Sequence, residues 1–196
     1  MPRRKRPPPA PPATRPDPLT LNGEGAAPPA PPAVRLFDDN LLRFLPAPLR
    51  EPRRVWLAIL IGVALTLTGS IALSYLSQAV APGLATPEFP VKGWLALFAL
   101  VVFAPFVETL IMAGFLTLFL RFMRPAYAVL LSAAGWGVAH SLQYIGWGLV
   151  IWWPFLIFST LYVVWRQRGA WAGIGVAAAT HALQNLGPAI IVAFPT

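Results

Sequence analysis

The chain has no cysteine, only two histidines and only seven acidic residues in 196. Without cysteine there can be no disulfide, no thiolate metal site and no thiol nucleophile, so any metal must be held by nitrogen and oxygen. Charged residues make up 11% of the chain, against roughly 25% in an ordinary soluble domain. That scarcity, with 57% hydrophobic residues, excludes a typical water-soluble fold. The charge that exists is also segregated: ten of the 15 Lys and Arg precede residue 55, and the rest flank apolar runs. Basic residues so placed set membrane topology and meet anionic headgroups rather than nucleic acid.

Residues 1–35 are Pro, Ala and Arg with few large apolar side chains, and are expected to form a disordered or polyproline-like cytoplasmic tail. Its basic residues suit anionic lipid headgroups. Residues 36–54 mix apolar and charged side chains and are expected along the membrane surface. From residue 55 the chain reads as an all-α, polytopic bundle of about five spans: 55–80, 93–120, 125–142, 146–165 and 170–194. The first has too long an apolar stretch for a signal peptide and is read as a retained anchor. A kink is expected at Pro105, and a break or kink at Gly187-Pro188. With the N-terminus inside, the inner segments carry 10, 2 and 2 Lys or Arg and the outer ones only Lys92. This bias predicts N-in, C-out. The Pro, Ala and Arg usage suggests a bacterial gene from a GC-rich genome, and with the spans this gives a multi-pass protein of a bacterial inner membrane as the expectation.

Both histidines, and one acidic residue, lie within these spans. Ionisable groups in hydrocarbon cost roughly 2.5–3.5 kcal/mol each on insertion scales, so Glu108, His140 and His181 mark a functional centre. Counting 1.5 Å per residue from the basic ends places them at depths of roughly 20, 23 and 17 Å, near mid-bilayer. His181 and Asn185 are spaced i,i+4 on one face of the last helix, as are Trp136 and His140 on the third. Gly173, Gly175, Ala177, Ala178 and Ala179 would let neighbouring helices close around His181. A carboxylate and an imidazole beside one water form a general-base pair, and a second imidazole with an amide can donate to a developing oxyanion. The same four residues are the nitrogen and oxygen donors open to a metal.

Three stretches, APFVETLIMAG, GWGVAH and RQRGAWAGIGVAAATHALQN, resemble the ordered motifs of the CPBP intramembrane proteases, the CAAX-protease and bacteriocin-processing (Abi) family. The resemblance covers about residues 93–187. It implies that Glu108 pairs with His140 to activate water, and that His181 and Asn185 stabilise the oxyanion. Members of the family are described both as metal-dependent and as metal-free, so the resemblance also admits a zinc ion on Glu108, His140 and His181. Two motif positions depart: Thr109 stands in place of a second glutamate, and Ala113 in place of an arginine one turn on. Trp136 replaces the usual phenylalanine. Losing both partners of a buried ion pair can be nearly neutral, whereas losing one strands a charge.

The function implied is an intramembrane endopeptidase that hydrolyses a peptide bond in a membrane-associated protein or peptide. A catalytically inactive relative, acting as an immunity-type or scaffolding membrane protein, is the alternative that the two departures favour. Two histidines on separate helices also admit a b-type haem anchor.

Overall fold

The computed structural model describes residues 34–85 and 87–195, which fold as one compact unit. The tail expected over 1–35, and its contact with lipid, lie outside the described residues except for Val34 and Arg35. The described chain is helical, without strands. A 3₁₀ turn (Leu41–Phe44) and one turn of α-helix, α1 (Ala47–Arg50), precede α2 (Val55–Val80). Next come α3 (Gly93–Phe98), a π-helical turn (Ala99–Phe103) and α4 (Ala104–Phe119), which run on as one rod. α5 (Pro125–Ser141), α6 (Ile145–Trp165) and α7 (Ala170–Ala193) complete the bundle.

Among the described residues four helices are long and apolar enough to cross a membrane: Val55–Val80, Gly93–Phe119, Ile145–Arg168 and Ala170–Ala193. The remaining expected span, α5, has 17 residues, or roughly 25 Å of helix against a hydrocarbon core of about 30 Å. It starts at Pro125, whose fixed φ and missing N–H suit a first turn, and stops just past His140. At Gly187-Pro188 the last helix does not break. α7 continues through Pro188 to Ala193.

α6 is the central helix. Every residue from Pro154 to Trp165 is buried, because α1, α2, α4, α5 and α7 all pack against it. A helix that is apolar on all sides finds its minimum in such a position. Small residues permit the close approaches that membrane packing needs. A Cβ on Gly62 would lie 2.9 Å from Thr180 of α7, and one on Gly173 would lie 2.8 Å from the Tyr162 carbonyl of α6. At the other end of α6, a Cβ on Gly148 would run into the Gly137 carbonyl and the Ser141 hydroxyl of α5.

The juxtamembrane segment packs against the bundle. Phe37, Leu42, Leu45 and Leu49 are buried and belong to the main core. Asn40 accepts from the Leu42 N–H at 3.0 Å and starts the turn that turns Leu42 inward. Leu36 N–H donates to the Arg50 carbonyl at 2.8 Å, and the Arg50 guanidinium pairs with Asp38. Gln167 exchanges two 2.9 Å hydrogen bonds with the backbone of Val34, while Arg168 Nε donates to Pro52 O at 2.9 Å. Phe44 stacks on Trp153 with ring centroids 6.5 Å apart. The segment mixes apolar and charged residues because Phe37, Leu42, Leu45 and Leu49 enter the core while Asp38 and Arg50 pair outside it.

Candidate active site

Glu108 from α4, His140 from α5, and His181 and Asn185 from α7 all line one cavity of about 850 Å³. The four residues singled out in the sequence thus meet in one place. Both imidazoles are buried, with the Glu108 side chain 28% exposed toward the cavity.

His140 Nδ1 is 2.9 Å from the Trp136 carbonyl. A carbonyl can only accept, so Nδ1 carries the proton and donates, leaving Nε2 with its lone pair. The i,i+4 spacing of Trp136 and His140 therefore fixes a tautomer as well as a face. The Trp136 ring also stacks on Phe155, with centroids 4.3 Å apart and planes 13° from parallel. Trp147 meets His140 edge-on at 4.5 Å. It reaches that distance because Gly137 and Gly148 bring α5 and α6 nearly into backbone contact one turn away.

His181 Nε2 lies 3.8 Å from Glu108 Oε2. That is beyond a hydrogen bond and within Coulombic reach, so the carboxylate stands closest to the histidine of α7. Phe158 stacks on the His181 ring at 4.5 Å and 22°, and Phe155 meets it edge-on at 5.4 Å. His181 Nδ1 is buried without a hydrogen-bond partner.

Asn185 is engaged at its amide. Its Nδ2 donates to the Leu100 carbonyl at 3.0 Å, and the reason lies in the rod that carries Glu108. In the π turn the Ala104 N–H donates to the Ala99 carbonyl instead of to Leu100, its α-helical acceptor. The next residue is Pro105, which has no N–H to offer. The Leu100 carbonyl is thereby left without a backbone donor, and Asn185 supplies one. The irregularity expected at Pro105 takes the form of this π turn, a common accompaniment of functional sites. One amide N–H of Asn185 remains for the cavity.

Thr109 is fully buried and its hydroxyl has no partner, while Ala113 is 5% exposed. Both departures from the family motif therefore fall in packed core, where a lone charge would be stranded. Among the described residues no three His, Asp or Glu side chains converge to hold a metal ion. Glu108, His140 and His181 thus do not fit zinc (Zn2+) as a ligand set, and no step below passes through a metal.

Sequence reasoning missed Phe155, Phe158, Trp147 and Leu100. α6 is apolar on every face, so nothing in its pattern singles out Phe155 and Phe158. Leu100 acts through its backbone, which sequence does not display. Gln184 was visible as an amide within an apolar helix. It is buried and lines the same cavity.

The family model described as type II CAAX prenyl endopeptidase Rce1-like matches residues 90–187, half of the chain. The chain belongs to this family. No curated protein and no solved structure matches it. The Rce1-like match runs from α3 through most of α7 and contains Glu108, His140, His181 and Asn185. With its four long apolar helices, the protein is a multi-pass membrane member of a protease family. α1 and α2 lie before the matched Rce1-like stretch, yet α2 walls the cavity.

Proposed function

We propose that the protein is an intramembrane endopeptidase, hydrolysing a peptide bond of a membrane-associated protein or peptide at the Glu108 cavity. Water between Glu108 and His140 is the nucleophile. Glu108 takes its proton as the oxygen attacks the carbonyl carbon, and the lone pair on His140 Nε2 holds the water's other hydrogen. His181 Nε2–H and the remaining Asn185 N–H donate to the oxyanion. On collapse, the C–N bond breaks and the proton held by Glu108 passes to the leaving amine. The observation that carries this reading is the convergence of Glu108, His140, His181 and Asn185, from three helices, on one cavity.

The test compares protein termini in the membrane and secreted proteomes of cells bearing the wild type, Glu108→Gln and His140→Ala. Each variant should lower native-substrate cleavage by about 10²–10⁴-fold, the usual weight of a general base, at unchanged protein level. Full cleavage in either variant refutes the mechanism. Thr109 and Ala113 favour the second reading, an inactive scaffold. It requires that Glu108→Gln behave as wild type where deletion does not.

A further inference from the structure

α5 packs mainly against α6 and only lightly against α4, so a groove of about 400 Å³ remains between α4 and α5. Ile111, Phe115 and Phe119 form one wall at i, i+4 and i+8, with the two phenylalanine rings stacked at 6.1 Å. Leu131 and Gly135 form the other, and the half-buried Trp136 closes the base. The groove shares no lining residue with the Glu108 cavity. Trp136 stands between the two, because its ring stacks on Phe155, which lines the cavity.

Glycine weakens a helix relative to alanine, yet a Cβ on Gly135 would meet nothing within 4 Å. The bundle's own packing does not call for the missing side chain, whose absence deepens the groove. The lining hydroxyl, Ser132, already accepts from Ser159 at 2.9 Å. Water would find almost no partner there, and an unfilled gap would forfeit dispersion contacts. Over the roughly 12 Å between Ile111 and Phe119, a volume of about 400 Å³ gives a cross-section under half that of a helix about 10 Å across. The groove therefore suits a single extended hydrocarbon chain rather than another helix.

Residues 120–124 join the two walls beside Phe119 and include two exposed arginines, Arg121 and Arg124. Neither makes an ion pair among the described residues, and no Asp or Glu follows Glu108 in the sequence. Two such guanidinium groups at the end of an apolar groove suit an anionic phosphate above an acyl chain.

We propose that the α4–α5 groove binds one anionic phospholipid, with its phosphate at Arg121 and Arg124 and one acyl chain against Phe115, Phe119 and Trp136. The lipid thereby backs the tryptophan whose carbonyl holds His140. Binding here is independent of the endopeptidase reading above. The test places the full-length protein in phosphatidylcholine vesicles carrying a trace of phosphatidylglycerol, or of phosphatidylcholine, with a photoreactive group on one acyl chain. After illumination the labelled peptides are located by mass spectrometry.

The phosphatidylglycerol probe should label Ile111–Phe119 and Leu131–Ala139 in preference to the rest of the bundle. It should do so about 30-fold more than the phosphatidylcholine probe, the weight of two basic residues beside one anionic headgroup. Arg121→Gln with Arg124→Gln should bring the two probes level. Gly135→Leu, whose side chain enters the groove without meeting the fold, should remove the groove label from both. Equal labelling by the two probes in the wild type, label spread evenly around the bundle, or a groove shielded from both by a second copy of the chain overturns the proposal. The wild-type arms decide it even if a variant does not accumulate.

Discussion

Asn185 Nδ2 donates to the Leu100 carbonyl at 3.0 Å, and this bond joins the helix of His181 to the turn that leads into the helix of Glu108. The same amide belongs to the third sequence motif, where resemblance assigns it to the oxyanion. Its hydrogen bond gives it a prior duty, holding α7 in register with the rod that carries Glu108.

Asn185→Ala should therefore cost about 1–3 kcal/mol, the usual penalty for a stranded buried acceptor, read as a lower unfolding midpoint in detergent. Pro105→Ala restores an N–H one π step from Leu100. In that background Asn185→Ala should cost clearly less, a coupling measurable by double-mutant cycle. Equal costs in the two backgrounds would show that the Leu100 carbonyl is not what Asn185 serves.

Thr109 carries a buried hydroxyl without a partner. Thr109→Val keeps the shape and removes the orphan, so it should raise stability by about 1 kcal/mol. Thr109→Glu alone should lower it by about 3–5 kcal/mol, and adding Ala113→Arg one turn on should return part of that loss. Thermal unfolding of the three variants checks the series.

Gly148 faces backbone, not flexible side chain, across α5. Gly148→Ala must push α5 and α6 apart near His140. A loss of about 1–3 kcal/mol is expected from overpacking, with substrate processing falling further than unfolding alone accounts for. Wild-type processing by a stably folded Gly148→Ala protein would show that His140 tolerates the shift.

Leu42 and Leu49 are fully buried. Leu42→Ala and Leu49→Ala should each cost about 2–5 kcal/mol, as large-to-small changes do in a packed core. A segment merely resting on the membrane would show no change in unfolding midpoint, which makes the two variants a direct test of how residues 34–50 are held.

The readable part of this molecule was its polarity. Glu108, His140, His181 and Asn185 stood out because each is polar within an apolar run, and membrane depth could be counted from the flanking arginines. The structure gathers all four on one cavity. Wholly apolar contrasts left no trace: Phe155 and Phe158 lie on a helix with no polar face, and its central position emerges only once five neighbours are packed around it. The packing of Leu42 and Leu49 was not legible for the opposite reason. A mix of apolar and charged residues fits a membrane surface and a groove alike, and the partners that tie the segment down, Gln167 and Arg168, lie more than 100 positions away.

The π turn at Ala99–Phe103 has a consequence for how this site can change. Each residue of an α-helix rotates the chain by about 100°, so the extra residue offsets everything before the turn from everything after it. Deleting any one of these five residues, none of them chemically special, would leave the Glu108 side chain intact while turning it relative to α3. The direction in which the carboxylate points is thus set by a count of residues rather than by their identity. Insertions and deletions in this turn endanger the site more than substitutions do.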